Sequence, residues 1–281
     1  GSLGAAARRQ ALLDIQSGMA GIVVGTHALL EEKVQFADLG LVVVDEQHRF
    51  GVEQRAVLMT KSAEGTRPHL LVMTATPIPR TVAMTVFGDL DVSTLSELPA
   101  GRSPISTHVV AVQEKPQFLE RAWQRIQEEV AKGHQAYVVC PRITSSAAEE
   151  DFEIEDAPSM ANVEDLFHQL SSGPLFGLKL AQLHGKLKAD VKEDVMQSFA
   201  RGEIDVVIAT TVIEVGVDVP NASVMVIMDA DRFGVSQLHQ LRGRVGRGSV
   251  AGLCLLVTNS MADSPARERL DAVASTLDGF E

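Results

Sequence analysis

Short, nearly continuous apolar runs alternate along the chain with stretches whose apolar residues recur every three or four positions. That alternation predicts strands joined by crossover helices, hence a parallel α/β sheet. In the first part the runs are residues 21–25, 41–45 and 69–74, each bounded by polar residues or glycine. Their continuity suits strands buried on both faces. The pattern stops around residues 96–104, where two prolines and a glycine predict an interdomain connection. It then restarts. Residues 115–132 form an amphipathic helix with Leu119, Ala122, Trp123, Ile126 and Val130 on one face, and Gly133 ends it. Further strands are expected at 136–140, 178–183, 205–210, 224–228 and 253–257, and helices at 163–170, 189–200, 236–243 and 265–277. The expected organisation is a first domain over residues 1–98, a second over 99–262 and a terminal helical segment over 263–281.

Composition adds little to this picture. A chain of 281 residues, 45% hydrophobic and 22% charged, has room for two soluble domains. It has no apolar run of membrane-spanning length. The net charge of −12 argues against a strongly basic nucleic-acid binder, though not against a motor with a local phosphate track. An acidic run at 149–156 reads as a solvated loop. Cys140 and Cys254 sit in apolar runs and read as buried thiols in a reducing cytoplasm.

Candidate chemistry lies at the ends of the expected strands. Asp45-Glu46 would project from the carboxyl edge of a parallel sheet, where ligands bind. Asp45 could hold Mg²⁺ through water and Glu46 could orient the attacking water; a solvated strand end is the plainer alternative. Thr74-Ala75-Thr76-Pro77 follows the next strand, where two hydroxyls could sense the acid pair, or simply form a turn. The strand at 205–210 delivers Thr210 and Thr211 to its end, able to hold a nucleic-acid phosphate. Beyond it, Gly216 permits close backbone approach and Asp218 could accept from a ribose hydroxyl; a buried strand with its cap competes with this reading. In the segment 240–247, Arg242, Arg244 and Arg247 are spaced to bring guanidinium groups to one point, as arginine fingers do, with Gly243 and Gly246 keeping the approach clear. The competing reading is a solvated basic patch. Of the histidines, His48 and His239 fall inside these segments, whereas His27 and His184 read as strand-end or turn residues.

Taken in order, these segments resemble the superfamily 2 helicases. Gly25-Thr26-His27 looks like motif Ib, Asp45–His48 motif II, Thr74–Pro77 motif III, 209–218 motif V and 240–247 motif VI. The longer stretches 45–52, 74–81, 209–222 and 237–248 resemble the RecG family of bacterial ATP-dependent branch-migration helicases. A DNA translocase like the transcription-repair coupling factor, which acts with RNA polymerase, is the nearest alternative. A non-enzymatic remnant that binds DNA or a partner is the other.

The resemblance implies two RecA-like parallel-sheet domains, ATP and Mg²⁺ as cofactors, branched DNA as partner and a bacterial cytoplasmic location. It also implies roles. Asp45, Glu46, Arg244 and Arg247 would be catalytic, with Asp45 on the metal. Gly216, Asp218 and Gln240 would lie at the nucleotide, and Thr26, Thr210 and Thr211 on the DNA. His48, Thr74 and Thr76 would couple the two. The sequence holds no Gly-x-x-x-x-Gly-Lys-Ser/Thr phosphate loop. The expectation is therefore a piece whose first domain is truncated on its N-terminal side, with no ATP hydrolysis of its own. Residues 69–74 would then form an exposed apolar edge through which the chain self-associates.

Overall fold

The computed structural model describes residues 3–45, 57, 61, 68–74, 91, 93, 95, 104–141, 161–214, 218–248 and 250–276, without the side chains of 212 and 214. Two compact units emerge, Gly1–Ala75 and Thr76–Glu281.

The first unit contains helix α1 (Ala5–Gln16) and two parallel strands, β1 (Leu41–Val44) and β2 (His69–Val72). Leu41 pairs with His69 and Val44 with Val72. Val42 and Val44 are buried, and Leu30, Leu39, Leu70 and Val72 pack on them. The other face of the pair is open, with Leu41 58%, Val43 52% and Leu71 49% exposed. This is an exposed face; the apolar edge expected at residues 69–74 is instead a matter of ladder pairing, and among the described residues β2 pairs only with β1.

Residues 21–25 form no strand: Ile22 and Val24 are 89% and 92% exposed. An apolar run becomes a strand only where a ladder partner satisfies its backbone, and among the described residues none lies beside it. Helix α1 escapes sequence reading because its arginines and its leucines spread around the helix, leaving no apolar stripe.

The second unit is built on a six-stranded, all-parallel sheet in the order β3-β8-β7-β4-β6-β5. These strands are β3 (Ile105–Ala111), β4 (Gln135–Val139), β5 (Leu180–Leu183), β6 (Val206–Ala209), β7 (Ala222–Ile227) and β8 (Gly252–Thr258). The three central strands β7, β4 and β6 are buried along their whole length, which explains their continuous apolar sequence. β3 was not expected. It is an edge strand that alternates exposed and half-buried residues before ending in Val110 and Ala111, so a search for continuous apolar runs passes over it.

Helices α2 (Gln117–Ala131) and α3 (Val163–Ser172) cover one face of the sheet, over Val138, Ile208 and Val226. α4 (Ala189–Ala200), α5 (Val235–Arg242) and α6 (Pro265–Ser275) cover the other, over Val139, Val207 and Ile227. Their ends follow local chemistry. The Asn162 side chain caps α3 by accepting from Asp165 N–H at 2.9 Å. Ser264 does the same for α6, followed by Pro265 in its first turn. Gly133 closes α2 with φ +87°, a conformation that only glycine adopts cheaply. No described helix is long and apolar enough to cross a membrane.

Candidate functional site

Parallel pairing fixes what meets at the carboxyl edge of the first unit. Met73 N–H donates to the Val44 carbonyl at 2.8 Å, and the register sets Asp45 opposite Met73, with Thr74 one residue further on. Asp45 is exposed there and Thr74 half-buried. Thr26 is exposed at the start of a 3-10 turn, His27–Leu30, and its carbonyl accepts from Leu29 N–H at 3.0 Å. The expected site residues Glu46, His48, Thr76 and Gly216 lie outside the described residues.

In the second unit, Thr210 ends β6 and is 8% exposed; Thr211 opens the 3-10 turn Thr211–Glu214. Asp218 and Arg247 meet. The guanidinium Nη1 donates to Asp218 Oδ1 at 3.0 Å, and Nε donates to the Gly243 carbonyl at 2.8 Å. The first contact joins the segment after β6 to the segment after α5. The second folds the arginine back onto the end of its own helix, so the guanidinium is held at two points.

Three backbone approaches continue this seam. Gly246 N–H donates to the Ala222 carbonyl at 3.2 Å. Gly246 has φ +67°, and a Cβ there would lie 3.0 Å from Ile105 Cγ1 and 3.3 Å from Gly252 N. At Gly248 a Cβ would fall 2.7 Å from the Pro220 carbonyl oxygen. Gly246 and Gly248 therefore let residues 246–248 lie directly on 218–222. This differs from the expected purpose of Gly246, which was to clear a path for a ligand.

Arg244 comes to the same region as Arg247. Both charges act on Tyr137, a buried residue of β4 whose hydroxyl is pushed well above its ordinary pKa by burial, with Arg244 and Arg247 opposing that rise. Gln240 is half-buried on α5, one helical turn before Arg244. Arg242 does not join them. It is 5% exposed, and its Nη1 donates to the carbonyls of Val273 and Thr276 at 2.9 and 2.6 Å while Nη2 meets His239 Nδ1 at 2.6 Å. Helical spacing explains the split: Arg242 shares its side of α5 with His239 and faces the end of α6. Its guanidinium gives carbonyls at the end of α6 a buried donor.

The carboxyl edge is organised further by Asp229, just after β7. It takes a left-handed conformation, φ 47° and ψ 49°, tolerable for aspartate. Its Oδ2 accepts from Ala161 N–H at 2.7 Å. Burial raises the pKa of this carboxyl.

Two family models match the chain: the DEAD/DEAH box helicase over residues 2–85 and the helicase conserved C-terminal domain over residues 114–249. The ATP-dependent DNA helicase RecG of Mycobacterium tuberculosis is 59% identical over 282 residues, covering all of this chain. That of Bacillus subtilis is 46% identical over 275 residues. The chain belongs to the RecG helicase family.

A solved RecG bound to a three-way DNA junction matches this RecG-family chain along its whole length, at 38% identity and a TM-score of 0.73. Dbp5 of Saccharomyces cerevisiae, bound to RNA and ADP BeF3, matches at 15% identity and a TM-score of 0.59, a likeness of fold. The chain spans 38% of the length of the Mycobacterium tuberculosis and Bacillus subtilis RecG proteins. Sequence reading of this RecG-family chain missed Pro220, Ala222 and Gly248 as parts of the seam. No local signal marks them, because their role exists only once two distant segments touch.

Proposed function

We propose that the chain forms part of the motor of an ATP-dependent DNA helicase that remodels branched DNA, including stalled forks and Holliday junctions, in bacterial recombination and repair. The observation that carries this reading is the Asp218–Arg247 pair with its glycine seam. It ties the segment running on from Thr210 and Thr211 to the segment bearing Arg244 and Arg247. A DNA-contacting and a phosphoryl-contacting element are thereby made one body. Membership of the RecG family supports the substrate class.

In this reading Arg244 and Arg247 stabilise charge on a transferring phosphoryl group. Asp218, with Gly216 and Gln240, lies at the nucleotide. Thr26, Thr210 and Thr211 contact DNA phosphates, while His48, Thr74 and Thr76 relay the state of the acid pair. Asp45 fits Mg²⁺ in offering a hard carboxylate oxygen at an exposed sheet edge. A cation there would take one carboxylate, with water and phosphate oxygens completing its shell, which is the habit of Mg²⁺. When bound, Mg²⁺ supplies charge neutralisation on the phosphates. Glu46 orients the water. The protein acts in the cytoplasm.

The test is a chimera in which this chain replaces the matching segment of Mycobacterium tuberculosis RecG. It should hydrolyse ATP in response to junction DNA, and Arg247→Ala should lower kcat by about 10³-fold or more. A folded chimera that binds junction DNA without any hydrolysis would instead support a non-enzymatic binding module.

A further inference from the structure

The turn from β5 to α4 carries a histidine outside every segment discussed so far. Leu183 pairs with Ala209 in the parallel ladder, and Thr210 N–H donates to the Leu183 carbonyl at 3.1 Å. One step further, His184 and Thr210 leave adjacent strands side by side. Strand alternation sends both toward the face that holds Val206 and Ile208. His184 is 7% exposed and Thr210 8%.

The two ring nitrogens of His184 differ. Nδ1 is sealed from solvent and has no hydrogen-bond partner, whereas Nε2 is not both sealed and unpartnered. A sealed nitrogen with no acceptor is a poor place for a proton, so the neutral ring carries it on Nε2. The ring thus presents an N–H donor from a buried, fixed mount. The turn itself is pinned by Leu187 N–H to the His184 carbonyl at 3.2 Å and by Lys192 Nζ to the Gly185 carbonyl at 2.9 Å. Lys186 and Lys188 are both exposed here, and residues 184–188 contain no acid in a chain of net charge −12. The next carboxylate along the chain, Asp190, accepts from Val191 N–H at 3.0 Å.

We propose that His184 Nε2–H donates to a phosphodiester oxygen of a DNA strand, and that the Thr210 hydroxyl holds the same phosphate. This rests on the placement of Thr210 on the DNA track. The contact is to backbone and adds grip without sequence preference. A neutral imidazole donor releases no counterion, which separates it experimentally from a lysine contact.

The experiment measures binding of the chain to a fluorescein-labelled oligothymidylate by anisotropy across a salt series. His184→Phe keeps the ring volume and removes the donor, whereas His184→Gln keeps an amide N–H near the position of Nε2. His184→Phe should weaken binding about five- to tenfold with the salt slope unchanged, and His184→Gln should stay within about threefold of wild type. Combined with Thr210→Val, His184→Phe should cost less than the product of the two single effects, because both groups hold one phosphate. Undiminished binding by His184→Phe, or a salt slope reduced by about 0.7, would overturn the proposal. If His184→Phe fails to fold, the ring Nε2–H signal of the wild-type chain serves instead: it should shift on adding oligothymidylate, and an unmoved signal is the overturning result. Wild-type chain that binds no oligothymidylate at all would remove the DNA-track reading of Thr210, and this proposal with it.

Discussion

Replacing Glu129 by glutamine should destabilise the second unit by about 2–3 kcal/mol at neutral pH. Glu129 lies in the last turn of α2 and is 4% exposed. Its Oε1 meets Lys132 Nζ at 2.8 Å and Arg125 Nη2 at 3.0 Å; its Oε2 meets His134 Nδ1 at 2.6 Å and accepts from Ser223 Oγ at 3.3 Å. Burial alone would raise its pKa. Hydrogen bonds from Lys132 and His134, with the charge of Arg125, override this and hold it at about 2 against an ordinary 4.5. At about 1.4 kcal/mol per pH unit that difference corresponds to roughly 3 kcal/mol. Arg125 and Lys132 are 38% and 55% exposed, so solvent screening takes a share of it.

The sign follows from the lowered folded-state pKa. The contribution is complete above 4.5 and is lost as pH falls from there toward about 2. Urea unfolding followed by Trp123 fluorescence makes the measurement direct, since Trp123 is the chain's single tryptophan and is buried in the same helix. The gap between wild type and Glu129→Gln should hold from neutrality down to about pH 5 and shrink from there toward about pH 3. Equal stability at neutral pH, or a gap that does not depend on pH across this window, would refute the reasoning.

Arg242→Met should lower stability by about 1–3 kcal/mol, because two carbonyls at the end of α6 lose a buried donor; a thermal melt reads it. Gly246→Ala should cost about 1–3 kcal/mol in the same assay, since φ is +67° and the new methyl group meets Ile105 and Gly252. Cys140 and Cys254, whose thiols burial pushes up to about 12, should react with a thiol reagent only after denaturation. Leu71→Lys, on the open face of the two-stranded sheet, should reduce self-association measured by light scattering, whereas Leu70→Lys, on the packed side, should destabilise the first unit.

Much of the second unit was legible because its central strands are buried on both faces and advertise this as unbroken apolar runs. Its edge was not: β3 shows a mixed pattern because only part of it meets the core. Residues 21–25 show the reverse error, with the right composition and no ladder. At the candidate site, the residue types were readable and their partners were not. Arg242, Arg244 and Arg247 look equivalent in sequence. Only the packing of α6 against α5 decides that Arg242 serves a helix end, and only the meeting of two distant segments places Arg247 on Asp218. His184 was legible as a strand-end or turn residue, but its neighbour Thr210 is brought beside it by strand register alone.

The Asp218–Arg247 seam has a thermodynamic consequence. A guanidinium held between a carboxylate and its own helix end cannot change its surroundings without disturbing Asp218 and the end of α5. Where two ligand sites are joined through such a pair, any coupling of their occupancies is reciprocal. On the proposed reading, whatever factor a nucleotide imposes on the grip for DNA, DNA returns to the grip for nucleotide. Weakening the pair, as Asp218→Asn would, should lower both factors together.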